Sequence, residues 1–312
     1  MPVEEELARV SPEKDMLLTI GVFDGVHLGH KYLISTLLEQ AKQRDLLAGV
    51  VTFQRHPQDL LSPQTRLPFL TDITERSQLL TNEGINEIIP LTFTKELAQL
   101  SALQFVSLLQ KHLRMRGLVI GPDFSLGRNR EGDTETLRKL GQEMNFSVTV
   151  VPPMRKNSES VSSTVIRKAI SDGDMKKVTR LVGHPFSLHD RVVTGTGRGA
   201  KLNFPTANLE INPEQAIPPD GVYASWAFAD GKKYRSMTNI GKCPTFGNLK
   251  RTVEVYIIGY NGNLYGQELK IDIIERVRDE RKFDSIKELT EQIAEDVKQG
   301  EVILGTADGQ RA

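Results

Sequence analysis

The chain has 312 residues, with 40 Lys plus Arg against 40 Asp plus Glu and a single cysteine, Cys243. A formally neutral chain of this length argues for two domains and gives no reason to expect nucleic acid or an anionic membrane as partner. One cysteine excludes an intrachain disulfide, and no apolar run approaches the ~20 residues of a membrane helix. The acidic opening at Glu4–Glu6 lacks the apolar core of a signal peptide, so a cytoplasmic protein is expected.

In chain order, "MLLTIGVF" reads as a strand, followed by Leu33, Leu37 and Ala41 at helical spacing. "LLAGVVTF" is a second strand, "LTDITERSQLL" leads into a helix, and "NEIIPL" is a third strand. "KELAQLSALQFVSLLQKHL" reads as one long amphipathic helix. "GLVIG" and "FSVTVV" are further strands with the helix "TETLRKLGQEM" between them. Alternation of this kind predicts an α/β fold, a parallel sheet covered on both faces that binds ligands beyond the carboxyl ends of its strands. Helical patterns near Ser163–Ile170 and Asp174–Val182 bridge to a different second half. There "GVYASWAF", "KYRSMTNIG", "TVEVYIIGY" and "ELKIDIIE" alternate with turns, which predicts an antiparallel barrel. A closing helix, "DSIKELTEQIAEDVKQ", is expected with Asp284 or Ser285 as N-cap, and a frayed tail "GTADGQRA" after it. The boundary is placed at 183/184; charge does not mark it, since residues 1–183 carry 23 basic and 22 acidic groups.

The stretch "TIGVFDGVHLGH" (Thr19–His30) lies at the end of the first strand, where a helix starts. A helix N-terminus offers unpaired N–H groups and partial positive charge to a phosphate. Gly25 and Gly29 permit close approach, and His27 and His30 can each donate an N–H to a phosphate oxygen. Two other readings stay open on the residues alone: a zinc site from His27, His30 and His56, or purely structural histidines. In the second half, "GTGRGAKLNFPTANLE" can form an anion-binding turn, but its spacing is neither a Walker A motif nor a dinucleotide fingerprint, and a flexible hairpin loop fits equally.

The segment "GVFDGVHLGH" resembles the GxFDGxHxGH signature of the N-terminal adenylyltransferase of prokaryotic bifunctional FAD synthetases, within the HxGH nucleotidyltransferases. "VVTFQRHP", "LTFTKELAQLSALQFV", "IGPDFSLGRNREGD" and "VSSTVIRKAISDGDMKKVTRLVG" follow in the order of that family. "KLNFPTANL", "PPDGVYASWAF", "NIGKCPTFG", "TVEVYIIGYNGNLYGQEL" and "VRDERKFDS" then resemble the flavokinase series. The resemblance implies a Rossmann-like adenylyltransferase over 1–183 and a small β-barrel riboflavin kinase over 184–312, using ATP, riboflavin and FMN as substrates with Mg²⁺. It implies His27 and His30 as catalytic groups on the ATP phosphates and Gly21, Phe23, Asp24, Gly25, Gly29, Ser163, Thr164 and Arg167 around the nucleotide. Phe53, Asp123 and Phe124 would line the flavin side, Gly197 and Lys201 the kinase nucleotide site, Thr206 and Asn208 the metal, and Glu254 would be the kinase's general base. Apart from the resemblance, Glu254 reads equally as an outward strand residue, because Val253, Val255 and Ile257 share the opposite face. The chain departs from the family at Gln54–Arg55, at Leu126 in place of an aromatic, at Val165 in place of Arg and at Asn203 in place of Gly. Those departures motivate a rival, a non-catalytic flavin-binding protein on a decayed scaffold. A class I aminoacyl-tRNA synthetase-like protein is the other rival, disfavoured by the lack of a KMSKS-like segment.

Overall fold

The computed structural model describes residues 2–62, 64, 66–156, 159–195, 197, 199, 202–245 and 248–309. It divides into two compact units, Met1–Ser163 and Thr164–Ala312.

The first unit holds α1 (Pro2–Ala8), β1 (Met16–Ile20), α2 (Leu28–Gln43), β2 (Leu47–Phe53), α3 (Pro57–Leu61) and α4 (Ile73–Asn82). There follow β3 (Glu87–Leu91), α5 (Lys95–Gln99), α6 (Ala102–Leu113), β4 (Met115–Ile120), α7 (Thr134–Met144), β5 (Ser147–Val150) and a small hairpin of β6 (Arg155–Lys156) with β7 (Glu159–Ser160). The main sheet runs in the order β3-β2-β1-β4-β5, and every pairing in it is parallel. All five residues of β1 are buried because both faces are covered, which is why the strand reads as an unbroken apolar run. Its period-2 alternation separates two cores. Met16, Leu18 and Ile20 pack with Phe105, Val106 and Leu109 of α6, whereas Leu17 packs with Ile34, Leu37 and Ala41 of α2. Strand order reverses beside β1, so the loop leaving β1 lies at the topological switch point where open α/β sheets bind ligands.

The single helix expected over 95–113 is two helices. Leu100 is extended (φ −64°, ψ 137°), and Ser101 starts α6 with a full capping box to Gln104. The break is held by the loop before α7: Arg128 N donates to Leu100 O at 2.8 Å, and Ala102 N donates to Glu131 Oε1 at 2.9 Å. Backbone groups freed by the break are thus paired by another segment.

The second unit carries most of α8 (Ser163–Ser171), then α9 (Met175–Val182), β8 (Phe186–Val193), β9 (Thr206–Leu209), β10 (Gly221–Ala229), β11 (Lys232–Thr245), β12 (Asn248–Ile257), β13 (Glu268–Asp279) and α10 (Ile286–Gly309). Six antiparallel strands close a barrel in the order β10-β11-β12-β9-β8-β13, leaving no free sheet edge. Tyr223, Thr238 and Val255 stand in register and are buried, so this set fills the interior. Their neighbours Val222, Asn239 and Glu254 point to the other face. On that outer face α10 packs, with Leu304 against Ala224 and Trp226. Ser285 is the cap: its Oγ accepts from Glu288 N at 3.2 Å. The helix continues through Gly309, beyond the point where fraying was expected.

Candidate active sites

In the first unit, residues 21–27 connect β1 to α2 in an unusual backbone path. Phe23 (φ 53°), Gly25 (φ 78°) and Val26 (φ 37°) all take positive φ, although Phe23 and Val26 are buried apolar residues. Such conformations persist only where the surroundings over-determine them. Here Gly21 N donates to Val51 O at 3.0 Å and Thr52 Oγ1 to Val22 O at 3.0 Å. Gly25 N donates to Thr71 Oγ1 at 3.0 Å. A Cβ on Gly25 would stand 2.9 Å from Leu70 Cδ1, so glycine is required there for space as well as for φ.

His27 is the N-cap of the 16-residue α2, and its Nδ1 accepts from His30 N at 3.3 Å. Neutral His27 therefore carries its proton on Nε2, which leaves Nε2–H as the donor. The rings of His27 and His30 stack with centroids 3.6 Å apart and planes at 15°, and the Phe23 ring is tilted at 54° to that of His30, with centroids 5.0 Å apart. Burial, then the neighbouring His27 and Arg76, holds His30 well below the usual imidazole range. His30 is thus neutral near pH 7. Among the described residues no three His, Cys, Asp or Glu side chains gather as a metal site, so the zinc reading from His27, His30 and His56 finds no support. His56 instead caps α3, its Nδ1 accepting from Gln58 N at 3.1 Å.

Asp24 lies inside the loop, 3% exposed. Its carboxylate accepts from Leu70 N at 2.9 Å and Thr71 N at 3.0 Å. Gly29 packs under the His27 ring, 3.1 Å from a Cβ position to His27 Cε1, and Gly21 is similarly close to Phe23. Ser163 Oγ donates to Asp24 O at 3.2 Å, which ties the start of α8 to this loop. Thr164 and Arg167 follow on α8 within the second unit, and their role rests on the sequence pattern. Phe53 ends β2, 9% exposed and edge-on to Phe93 at 5.4 Å. Phe124 is half-buried against the same core, and Asp123 is exposed one residue earlier.

In the barrel, Thr206 and Asn208 lie on one face of β9, opposite Tyr256 and Glu254 of β12. Thr206 Oγ1 donates to Glu254 Oε2 at 3.5 Å. Glu254 lines a cavity of about 420 Å³, with Thr206, Asn239, Lys242, Tyr256, Arg278 and Asp296 among its other polar walls. Val222, Met237, Leu289 and Ile293 make its apolar part, the last two from α10. The outward face of β12 is therefore a pocket wall, and Glu254 is not a solvated strand residue. A second cavity of about 140 Å³, lined by Val192, Ala207, Val255 and Leu264, also has Thr206 in its wall. Asn208 packs on the glycine-rich turn: a Cβ on Gly195 would sit 2.2 Å from its Nδ2. Gly197 is exposed with φ 68°, whereas Lys201 lies outside the described residues.

A family model described as FAD synthetase matches residues 10–165, and one described as riboflavin kinase matches 182–304. A bifunctional riboflavin kinase/FMN adenylyltransferase of Escherichia coli (strain K12) is 35% identical over 288 residues, covering 92% of each chain. The chain belongs to the bifunctional riboflavin kinase/FMN adenylyltransferase family. The Bacillus subtilis (strain 168) member is 33% identical over 90% of each chain. A crystal structure described as a macrolide-efflux protein from Streptococcus pneumoniae shares the fold, with a TM-score of 0.87 and 30% identity over 96% of this chain and 97% of that one. Among the described residues no helix is long and apolar enough to cross a membrane. The matches to FAD synthetase and riboflavin kinase fall in chain order on the two sites just described, and both of the family's enzymatic halves are present.

Sequence reasoning missed the groups behind each site. Arg76 of α4 is 2% exposed and binds Phe53 O and Thr71 O. Arg278 and Asp296 form a bidentate pair on the kinase cavity wall, at 2.9 and 2.8 Å. A lone Arg or Asp on a helix carries no sequence signal; only the fold reveals that it is buried.

Proposed function

We propose that residues 184–312 transfer the γ-phosphoryl of ATP to riboflavin and that residues 1–183 then adenylylate the resulting FMN to FAD in the same soluble, cytoplasmic enzyme. In the kinase step the terminal ribityl oxygen bonds to Pγ while the bond from Pγ to the ADP oxygen breaks. Glu254 accepts the hydroxyl proton. The observation that carries this reading is the meeting of Glu254 and Thr206, 3.5 Å apart on adjoining strands, in the wall of a cavity with both polar and apolar lining. The apolar side chains Val222, Met237, Leu289 and Ile293 would pack on the isoalloxazine, with the ribityl chain toward Glu254. In this reading the ATP γ-phosphate comes to lie beside Thr206, next to Glu254.

The donor set fits Mg²⁺. Thr206 offers a hydroxyl and Asn208 an amide oxygen beside the glycine-rich turn, hard neutral ligands that leave room for phosphate oxygens. Mg²⁺, when bound, would neutralise phosphate charge. Gly197 and Lys201 complete the nucleotide side in this reading.

In the adenylyl step an FMN phosphate oxygen attacks Pα of ATP and pyrophosphate leaves. His27 and neutral His30 donate N–H bonds to phosphate oxygens as charge shifts toward pyrophosphate, helped by the N-terminus of α2. Gly21, Gly25 and Gly29 admit the nucleotide. Phe23 and Asp24 act indirectly, by fixing the loop. Ser163, Thr164 and Arg167 follow as the family's phosphate contacts, and Phe53, Asp123 and Phe124 as its flavin contacts.

The test is one incubation of riboflavin, ATP and MgCl₂ with the full chain, resolving flavins by chromatography. FMN should form first and FAD after it, and EDTA should stop both. Flavin binding with neither product would refute the proposal and leave a non-catalytic flavin protein.

A further inference from the structure

We infer that Arg76 is a positioning residue of the adenylyl-transfer site, clamping three separate segments so that the Gly21–His27 loop presents His27 and His30 in one fixed arrangement. The inference rests on the assignment of that histidine pair proposed above.

Arg76 is 2% exposed and belongs to none of the motifs. Its Nη1 donates to Phe53 O at 2.7 Å, at the end of β2, and its Nη2 donates to Thr71 O at 3.0 Å. Nη2 also lies 3.9 Å from Asp24 Oδ1, within the loop itself. Residues Leu70 and Thr71 are bound in turn to Asp24 through their backbone N–H groups, and Thr71 Oγ1 accepts from Gly25 N. The connections form a closed circuit: loop to 70–71, 70–71 to Arg76, Arg76 to β2, and β2 back to the loop through Thr52 Oγ1 and Val22 O. Positive φ at Phe23, Gly25 and Val26 needs such bracing. Only a planar fork reaches two carbonyls in different directions while its charge faces a carboxylate; a Lys ammonium is a single point.

The same cation acts on His30. The charged and titratable groups bearing on that ring are His27 from the start of α2 and Arg76 from α4, with Asp24 of the loop facing Arg76. Burial first, then His27 and the Arg76 cation, keep His30 neutral. A neutral imidazole stacked at 3.6 Å on a second imidazole avoids like-charge repulsion, so the geometry and the protonation state support each other.

The test uses the full chain with Arg76→Met, Arg76→Lys and His30→Asn. FAD formation is measured from supplied FMN, ATP and Mg²⁺, and far-UV circular dichroism with thermal unfolding of the full chain serves as the folding control. The His30 titration is followed by imidazole NMR, its resonance assigned by its loss in His30→Asn. Arg76→Met should lower kcat for FAD formation by about 10²-fold through misplacement of the histidines. The titration midpoint of His30 should rise in Arg76→Met and stay near the parent's in Arg76→Lys. The Lys variant should lose roughly tenfold in kcat, an intermediate effect, and it decides the matter if Arg76→Met does not fold. Adenylylation within about twofold of the parent in either variant overturns the inference. So does an equal loss in both with no movement of the His30 titration, which would make Arg76 a packing residue only. If His30→Asn forms FAD at the parent rate, the histidine assignment itself fails, and that outcome is read from a variant that leaves Arg76 intact.

Discussion

Glu254→Gln tests the kinase chemistry most directly. The carboxylate is half-buried on β12, borders the cavity, and accepts a bond from Thr206 Oγ1 at 3.5 Å. Gln keeps the volume and one acceptor oxygen, so the pairing of β12 with β9 at Glu254 and Asn208 is preserved. What it removes is basicity. A general base contributes about 10²–10⁴ in rate, which at 1.36 kcal/mol per tenfold is roughly 3–5 kcal/mol of barrier. Phosphorylation of riboflavin should fall by that factor, while the dissociation constant for riboflavin, followed by flavin fluorescence quenching, should change by less than about threefold. FAD formation from supplied FMN should be untouched, because Glu254 belongs to none of the groups proposed for that reaction. A variant that phosphorylates riboflavin within a few-fold of the parent would refute the assignment. A variant whose riboflavin affinity collapses would show that Glu254 holds the flavin and does not take its proton.

Asp296→Ala strands the Arg278 guanidinium, since the Asp296 side chain is 4% and that of Arg278 19% exposed. Loss of one partner of a buried pair costs about 3–5 kcal/mol, to be read by urea unfolding of the barrel, with a cost under about 1 kcal/mol counting against the burial argument. Because both residues line the kinase cavity, the riboflavin KM should rise in the same variant. Gly25→Ala puts a Cβ 2.9 Å from Leu70 Cδ1 at φ 78° and should cost about 1–3 kcal/mol, with FAD formation lost while FMN still accumulates; a fully active variant would show that the loop relaxes freely. For His30 the folded value lies below the unfolded one, so below about pH 6.5 the unfolded chain takes up a proton that the folded chain refuses. The first unit should therefore lose stability as pH falls from there, with a slope approaching about 1.4 kcal/mol per pH unit. His30→Asn should flatten that slope, and parallel melting-versus-pH curves for parent and variant would exclude the effect.

The two halves were legible in the sequence for different reasons. β1 and β10 are apolar almost throughout because both faces of each are covered, whereas β12 alternates: Val253, Val255 and Ile257 are buried, and Glu254 and Tyr256 line a cavity. β8 and β9 escaped because β8 mixes His189, Asp190 and Arg191 into its run and β9 is only 4 residues long. The break between α5 and α6 had a visible signal, the Ser101–Gln104 capping box, but it lay inside an apolar periodicity that continues across it. The histidine loop could be placed from its position after a strand. The clamp behind it could not, because Asp24, Thr71, Arg76 and Phe53 are brought together only by the sheet order.

The departures from the family pattern bear on whether the enzyme is intact. Asn203 replaces a glycine, and the structure gives it φ 62°, a left-handed conformation that Asn adopts more readily than most residues with a Cβ. The backbone of the turn that precedes Thr206 is therefore preserved without the glycine. Leu126 replaces an aromatic, and it is 8% exposed, bridged to Gly132 and part of the core. Substitution of one apolar group by another at a core position changes packing and removes no polar group. Neither change removes a donor, an acceptor or a charge from the catalytic constellations. A decayed scaffold would lack a chemical group; Val165 in place of Arg removes one cation, whereas Leu126 and Asn203 remove none.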